Sequence, residues 1–171
     1  AAGDVRDSII RIFPYDYVLY LDECSGGTIS NVEFQGGIKA AVRDNHSTGR
    51  NTFDNIKTRY AGTYGFWIEE SETTLQNSSL LDGMDNGIVG DHAVSHIIYN
   101  NYIRNMGTLA GGDRDLSYNG MNLKQGTGTH DITYNIVEGC GLSGLKIKSR
   151  SDYDTCIMRA NYVSDNGNKL T

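Results

Sequence analysis

The chain has 171 residues, enough for one domain with a continuous core. A formal net charge of −6 and a pI near 5.1 argue against a general nucleic-acid surface. Apolar runs such as Tyr17–Leu21 are too short to cross a membrane, and Ala1-Ala2-Gly3-Asp4 does not read as a signal peptide. Glycine is abundant at 21 residues, but 11 tyrosines and steady apolar spacing mark a folded chain.

From the N-terminus, the first alternating segment is Leu19-Tyr20-Leu21-Asp22-Glu23. A second type of segment follows, a short apolar piece that runs into an asparagine. It recurs as Thr28-Ile29 before Asn31, Thr52-Phe53 before Asn55, Thr74-Leu75 before Asn77, and Ile97-Ile98 before Asn101. It returns as Asp131-Ile132-Thr133 before Asn135 and Cys156-Ile157-Met158 before Asn161. Each asparagine leads into another apolar pair, as in Val32-Glu33-Phe34 or Tyr102-Ile103. The steps between the asparagines are 24, 22, 24, 34 and 26 residues. A glycine then opens a third segment: Gly37-Ile38-Lys39-Ala40, Gly65-Phe66-Trp67-Ile68, Gly87-Ile88-Val89-Gly90, Gly120-Met121-Asn122-Leu123 and Gly144-Leu145-Lys146-Ile147.

Three short strands per repeat, with no helical periodicity, imply a coil in which each strand stacks on its equivalent about 4.8 Å away. The expected fold is an all-β right-handed parallel β-helix of about six rungs, a single domain over residues 1–171. The asparagines would form ladders at tight bends. No capping element is evident before Val5 or after Asn166, so the chain reads as a segment of a longer one or as a unit that self-associates end to end. The long step after Asn101 holds an inserted loop, Met106–Asp115, of the kind that walls a binding groove. Cys24, Cys140 and Cys156 lack metal-ligand spacing and read as small apolar residues of turns or core; the four histidines are scattered. Asn45-His46-Ser47 and Asn77-Ser78-Ser79 fit the glycosylation pattern.

Counting the opening glycine as zero, positions one and three point inward and positions two and four outward. Position two reads Lys39, Trp67, Val89, Asn122 and Lys146; position four reads Ala41, Glu69, Asp91, Lys124 and Lys148, with Asp22 in the first rung. Acids (Asp22, Glu69, Glu70, Asp91) gather at one end and bases (Lys124, Lys146, Lys148, Arg150) at the other. Glu69 and Asp91 would lie about 5 Å apart on adjacent rungs. That demands a shared proton or a cation such as calcium, with Glu70 beside it. The basic end would neutralise an acidic sugar chain, with Trp67 stacked on a ring. Two carboxylates at that separation suit glycoside hydrolysis. Lyase or epimerase chemistry instead needs a base and a proton donor beside a neutralised uronate, for which Tyr64, His92 and Lys124 are candidates.

Three stretches, Tyr64-Gly65-Phe66, Asn86-Gly87-Ile88-Val89-Gly90-Asp91 and Asn119-Gly120-Met121-Asn122-Leu123, resemble the pectate-lyase-like carbohydrate-active β-helices. They are most similar to the catalytic modules of mannuronan C5-epimerases. The resemblance implies a secreted enzyme on an acidic polysaccharide, acting by β-elimination or C5 epimerisation. Tyr64 would match the family's catalytic tyrosine and Asp91 its aspartate on the next rung. Where that family continues Asp-Pro-His after Tyr-Gly-Phe, this chain has Trp67-Ile68-Glu69, so the acid–base histidine is missing from its place and His92 is the substitute within reach. The alternative is a non-catalytic solenoid that binds polysaccharide or serves in a fibre, phage tailspike or surface protein.

Overall fold

The computed structural model describes residues 4–12, 15–108, 118–126, 128–148 and 155–167. The first strands are β1 (Asp4–Ile12), β2 (Tyr17–Asp22), β3 (Thr28–Gly36), β4 (Ala40–Asn45), β5 (Asn51–Asp54) and β6 (Lys57–Arg59). The middle ones are β7 (Tyr64–Glu69), β8 (Glu72–Gln76), β9 (Ser79–Leu81), β10 (Asn86–Ala93), β11 (Ser95–Tyr99) and β12 (Tyr102–Arg104). The last are β13 (Met121–Gly126), β14 (Thr129–Thr133), β15 (Ile136–Glu138), β16 (Leu145–Lys148), β17 (Thr155–Arg159) and β18 (Tyr162–Ser164). There is no helix among the described residues.

Strands β2, β4, β7, β10, β13 and β16 stack into one sheet, and the others form a second sheet that bends around a corner. Strand β3 runs through that corner, pairing β5 with its first half and β6 with its second. All pairings are parallel, as in β4–β7 and β7–β10. Six stacked strands give about five full turns of an all-β solenoid. Strand β1, which the sequence repeat did not announce, pairs with β3.

Apolar side chains from both sheets fill the interior. Phe34, Phe53, Phe66, Ile68, Leu75, Leu80, Ile88, Ile98 and Ile103 are fully buried. Phe53 and Phe66 meet edge to face at 4.7 Å and tie the two sheets together. The opening glycines share one inward corner slot. A Cβ on Gly87 would come within 2.5 Å of the Gly120 carbonyl oxygen, and one on Gly120 within 2.6 Å of that of Gly144. Close backbone approach, rather than unusual dihedrals, fixes these glycines.

The register corrects two expectations. Ala40 pairs with Tyr64 and Val42 with Phe66, so Ala41, not Gly37, occupies the slot of Gly65. Ala41 is buried and does not point outward. Lys39 lies before β4, ion-paired with Asp16 at 2.7 Å, and is not on the outward column. Arg43 and Asn45 hold the places given to Lys39 and Ala41. The second correction concerns the asparagines, which belong to two ladders one residue apart. Asn31, Asn55, Asn77 and Asn100 take left-handed conformations at an exposed corner, with Asn55 donating to Asn31 at 2.7 Å and Asn100 to Asn77 at 2.8 Å. Asn101, Asn135 and Asn161 form the neighbouring inward ladder, linked at 3.0 Å per step. The inward amides satisfy backbone groups that would otherwise be stranded, as Asn135 does for the Ile98 carbonyl.

Candidate functional site

The outer face of the β2–β16 sheet carries two columns of side chains. One runs Tyr20, Arg43, Trp67, Val89, Asn122, Lys146; the other runs Asp22, Asn45, Glu69, Asp91, Lys124, Lys148. A third set, Glu23, His46, Glu70 and His92, turns the corner with positive φ.

At the β2 end the polar groups pair with one another. Arg43 is the hub. Its guanidinium lies 4.1 Å from the Trp67 ring centroid and 5.2 Å from that of Tyr20, donates to the Tyr17 hydroxyl at 2.9 Å, and pairs with the Glu69 carboxylate. Burial disfavours its charge, but Glu69 and Tyr17 outweigh that and raise its pKa. Tyr17 stacks on Tyr20 at 5.1 Å, and Tyr64 meets Trp67 edge to face at 5.2 Å. One face of Trp67 is therefore taken by Arg43, leaving less of the ring for a sugar than alternation implies. The next corner side chain, His46, sits between Asp22 at 3.4 Å and Glu70 at 3.3 Å. Asn45 is buried, donating to Asp22, which removes it as a glycosylation site.

Glu69 and Asp91 are register partners, as the repeat implied. Their expected shared cation has a competitor within the chain, since Arg43 is already the counter-charge of Glu69. Glu70 engages His46, and no group of three acidic, histidine or cysteine side chains close enough to hold a metal occurs among the described residues. The sequence reading missed Arg43 because it set Lys39 in the same column. Aligning Val42 with Phe66 would have exposed it.

Toward the β16 end the pattern changes. Asp91 contacts His92 Nδ1 at 3.3 Å, and the imidazole is exposed. Tyr64 has its pKa raised by burial first, then by Asp85, Asp91 and Glu69, so it stays protonated. Lys124 follows Asp91 in the column, and Lys148 follows Lys124. Lys146 and Lys148 are exposed, and none of the three lysines has an acidic side chain within ion-pair distance among the described residues. Val89 and Asn122 are 1 % exposed despite facing outward, and the Asn122 Oδ1 has no hydrogen-bond partner among the described residues. Arg150 and most of the inserted loop, including Asp113 and Asp115, lie outside the described residues.

Beneath this face the interior holds titratable groups, Asp44, His96 and Cys140 among them. Asp44, in β4, accepts hydrogen bonds from Ser47 (2.6 Å), Asn51 (2.9 Å) and Thr73 (2.7 Å), and burial raises its pKa. His96 fills the space left by Gly90, and desolvation, with His130 and Arg50, lowers its pKa to about 3. Its Nδ1 is 3.2 Å from that of His130. All three cysteines are free; Cys140 is buried, and desolvation raises its thiol pKa to about 11.

A family model described as "Right handed beta helix region" matches residues 17–170. No curated protein and no solved structure matches the chain.

Proposed function

Since the chain belongs to the right-handed β-helix family, we propose that it binds an extended acidic polysaccharide along the outer face of the β2–β16 sheet and moves a proton at the carbon beside a uronate carboxylate. The observation that carries this reading is the succession Asp91–His92, Lys124, Lys148 on consecutive turns, with Lys146 beside it. An acid–base pair adjoins cations that no carboxylate among the described residues neutralises.

Lys124, Lys146 and Lys148 draw in sugar carboxylates and lower the cost of charge that develops next to them. Asp91 holds the His92 Nδ1, so Nε2 accepts the proton from C5. Tyr64, kept protonated by burial and then by its acidic neighbours, donates. If its proton goes to the glycosidic oxygen at C4, the C4–O bond breaks and a C4–C5 double bond forms. If the Tyr64 proton instead goes to C5 from the side opposite His92, the sugar is epimerised and the C4–O bond stays intact. Such a ligand places the protein outside the cell. Calcium at Glu69, Glu70 and Asp91 is a lesser proposal, since it would have to displace Arg43 from Glu69.

The non-catalytic reading has one observation in its favour: Glu69, where the epimerase-like pattern has its histidine, is tied to Arg43. Incubation with alginate, pectate and glycosaminoglycans, with and without calcium, separates the two. An ultraviolet-absorbing unsaturated product or inverted C5 resonances is expected. Binding with no product on any polymer contradicts the catalytic part and leaves the binding part standing.

A further inference from the structure

Around the exposed asparagine corner, the outward columns change character along the solenoid. In the β5–β6 turn they hold Thr52, Asp54, Asn55 and Lys57, and in the β8–β9 turn Thr74, Gln76, Asn77 and Ser79. Beginning at β11 the same columns, which also hold Asn100, Tyr102, Asp131, Thr133, Ile157 and Arg159, bring in Ile97, Tyr99, Tyr134, Ile136 and Tyr162. Those five are among the exposed large apolar side chains, with Tyr134 at 56 % and Tyr162 at 60 %. Single exposed apolar residues are ordinary, but a contiguous set on one corner is not.

Tyr134 adds an independent observation. Its φ is +57°, in a slot that Asn31, Asn55, Asn77 and Asn100 fill on the preceding turns. Asparagine suits a left-handed corner and supplies the amide that links one turn to the next, whereas a bulky ring there is strained and cannot make that link. Tyr134 recovers little burial for this; its ring meets Tyr99 at 5.7 Å, nearly perpendicular. Local strain without packing return marks a surface role.

We propose that Tyr99 and Tyr134, flanked by Ile97, Ile136 and Tyr162, form a second carbohydrate-binding surface, one for neutral sugar rings. Tyrosine offers a flat apolar face with a hydroxyl at its tip, suited to a pyranose with C–H bonds on its face and hydroxyls at its rim. Asp131 and Arg159 together select among ligands. Asp131 lies between Ile97 and Ile157 in register and accepts a hydrogen bond from the Thr133 hydroxyl. Exposed Arg159, register partner of Thr133, balances the Asp131 charge, so the patch favours neither sign, and a protein partner that dried it with apolar contacts would strand both ions. Neutral sugar hydroxyls can donate to Asp131 instead.

The test uses the full chain and a panel of neutral hexasaccharides, cellohexaose and mannohexaose among them, with oligogalacturonate as the anionic control. Calorimetric titration should show saturable binding of at least one neutral member. Tyr134→Asn restores the ladder residue, so the variant should fold with an unchanged or higher Tm while losing affinity at least tenfold. Tyr99→Ser, which leaves the corner untouched, should lose a comparable factor. Binding of acidic polymer should be unaffected by either. Absence of neutral-sugar binding overturns the proposal, as does full affinity in both variants. Concentration-dependent dimerisation that Tyr134→Asn abolishes, without sugar binding, would assign the surface to a second copy and overturn it equally.

Discussion

The two ends of the outer face share a backbone and differ in how their charges are spent. At the β2 end, Arg43 is held by Tyr17, Tyr20, Trp67 and Glu69, and His46 by Asp22 and Glu70. At the β16 end Lys124, Lys146 and Lys148 lack such partners among the described residues. A polar network satisfied within the protein contributes to rigidity, while cations left in solvent contribute little to stability and remain available to a ligand. The β2 end is thus read as a brace and the β16 end as the receptor, with Asp91 and His92 between them.

The interior beneath the two ends responds to acid in opposite senses, which gives the largest expected effect. His96, behind Gly90, has a folded pKa of about 3 against an ordinary value near 6.5. A depressed histidine pKa means that its stability contribution is complete above pH 6.5 and is lost as pH falls toward 3. The limit is about 5 kcal/mol. Asp44, under the β2 end, has a raised pKa, so its contribution is greatest in acid and declines as pH rises through the folded value. Urea unfolding from pH 7 to pH 4 should therefore show falling stability in wild type and a flatter profile in His96→Gln. An unchanged slope in that variant would remove His96 as the cause.

A smaller effect breaks the brace. Arg43→Met strips the cation from Trp67 and leaves Glu69 without its partner, which should cost about 2 kcal/mol. Because Trp67 is the only tryptophan, its emission should change in the folded variant as well. Removing all three lysines at the other end should alter stability by less than about 0.5 kcal/mol. Equal losses at both ends would erase the distinction.

The same contrast explains what could be read before the structure was known. Turns with Gly65, Gly87, Gly120 and Gly144 in the corner slot declare their register, because a Cβ at the first three would press on the carbonyl of the next turn and one on Gly144 on Val163 and Asn166. The β4 turn puts Ala41 there and has Gly37 four residues earlier, so Lys39 was set in the place of Arg43, the hub of the brace. The Asn100-Asn101 doublet fits either of two adjacent ladders, which hid the one-residue slip between them. Alternation assigned Val89 and Asn122 outward correctly, yet direction along a strand does not fix burial, and both are covered. The carboxylate column was readable because Asp22, Glu69, Asp91, Lys124 and Lys148 all count from a correct origin.

The most direct test follows Trp67 emission while an alginate or pectate oligomer is titrated into wild type and into Lys124→Ala/Lys146→Ala/Lys148→Ala, at low and high salt. A saturable change in wild type is predicted, weakened by salt as unburied charges are screened and reduced at least tenfold in the triple variant. Equal affinity of the two proteins for acidic polymer, or none in wild type, would contradict the assignment of this face to an acidic polysaccharide.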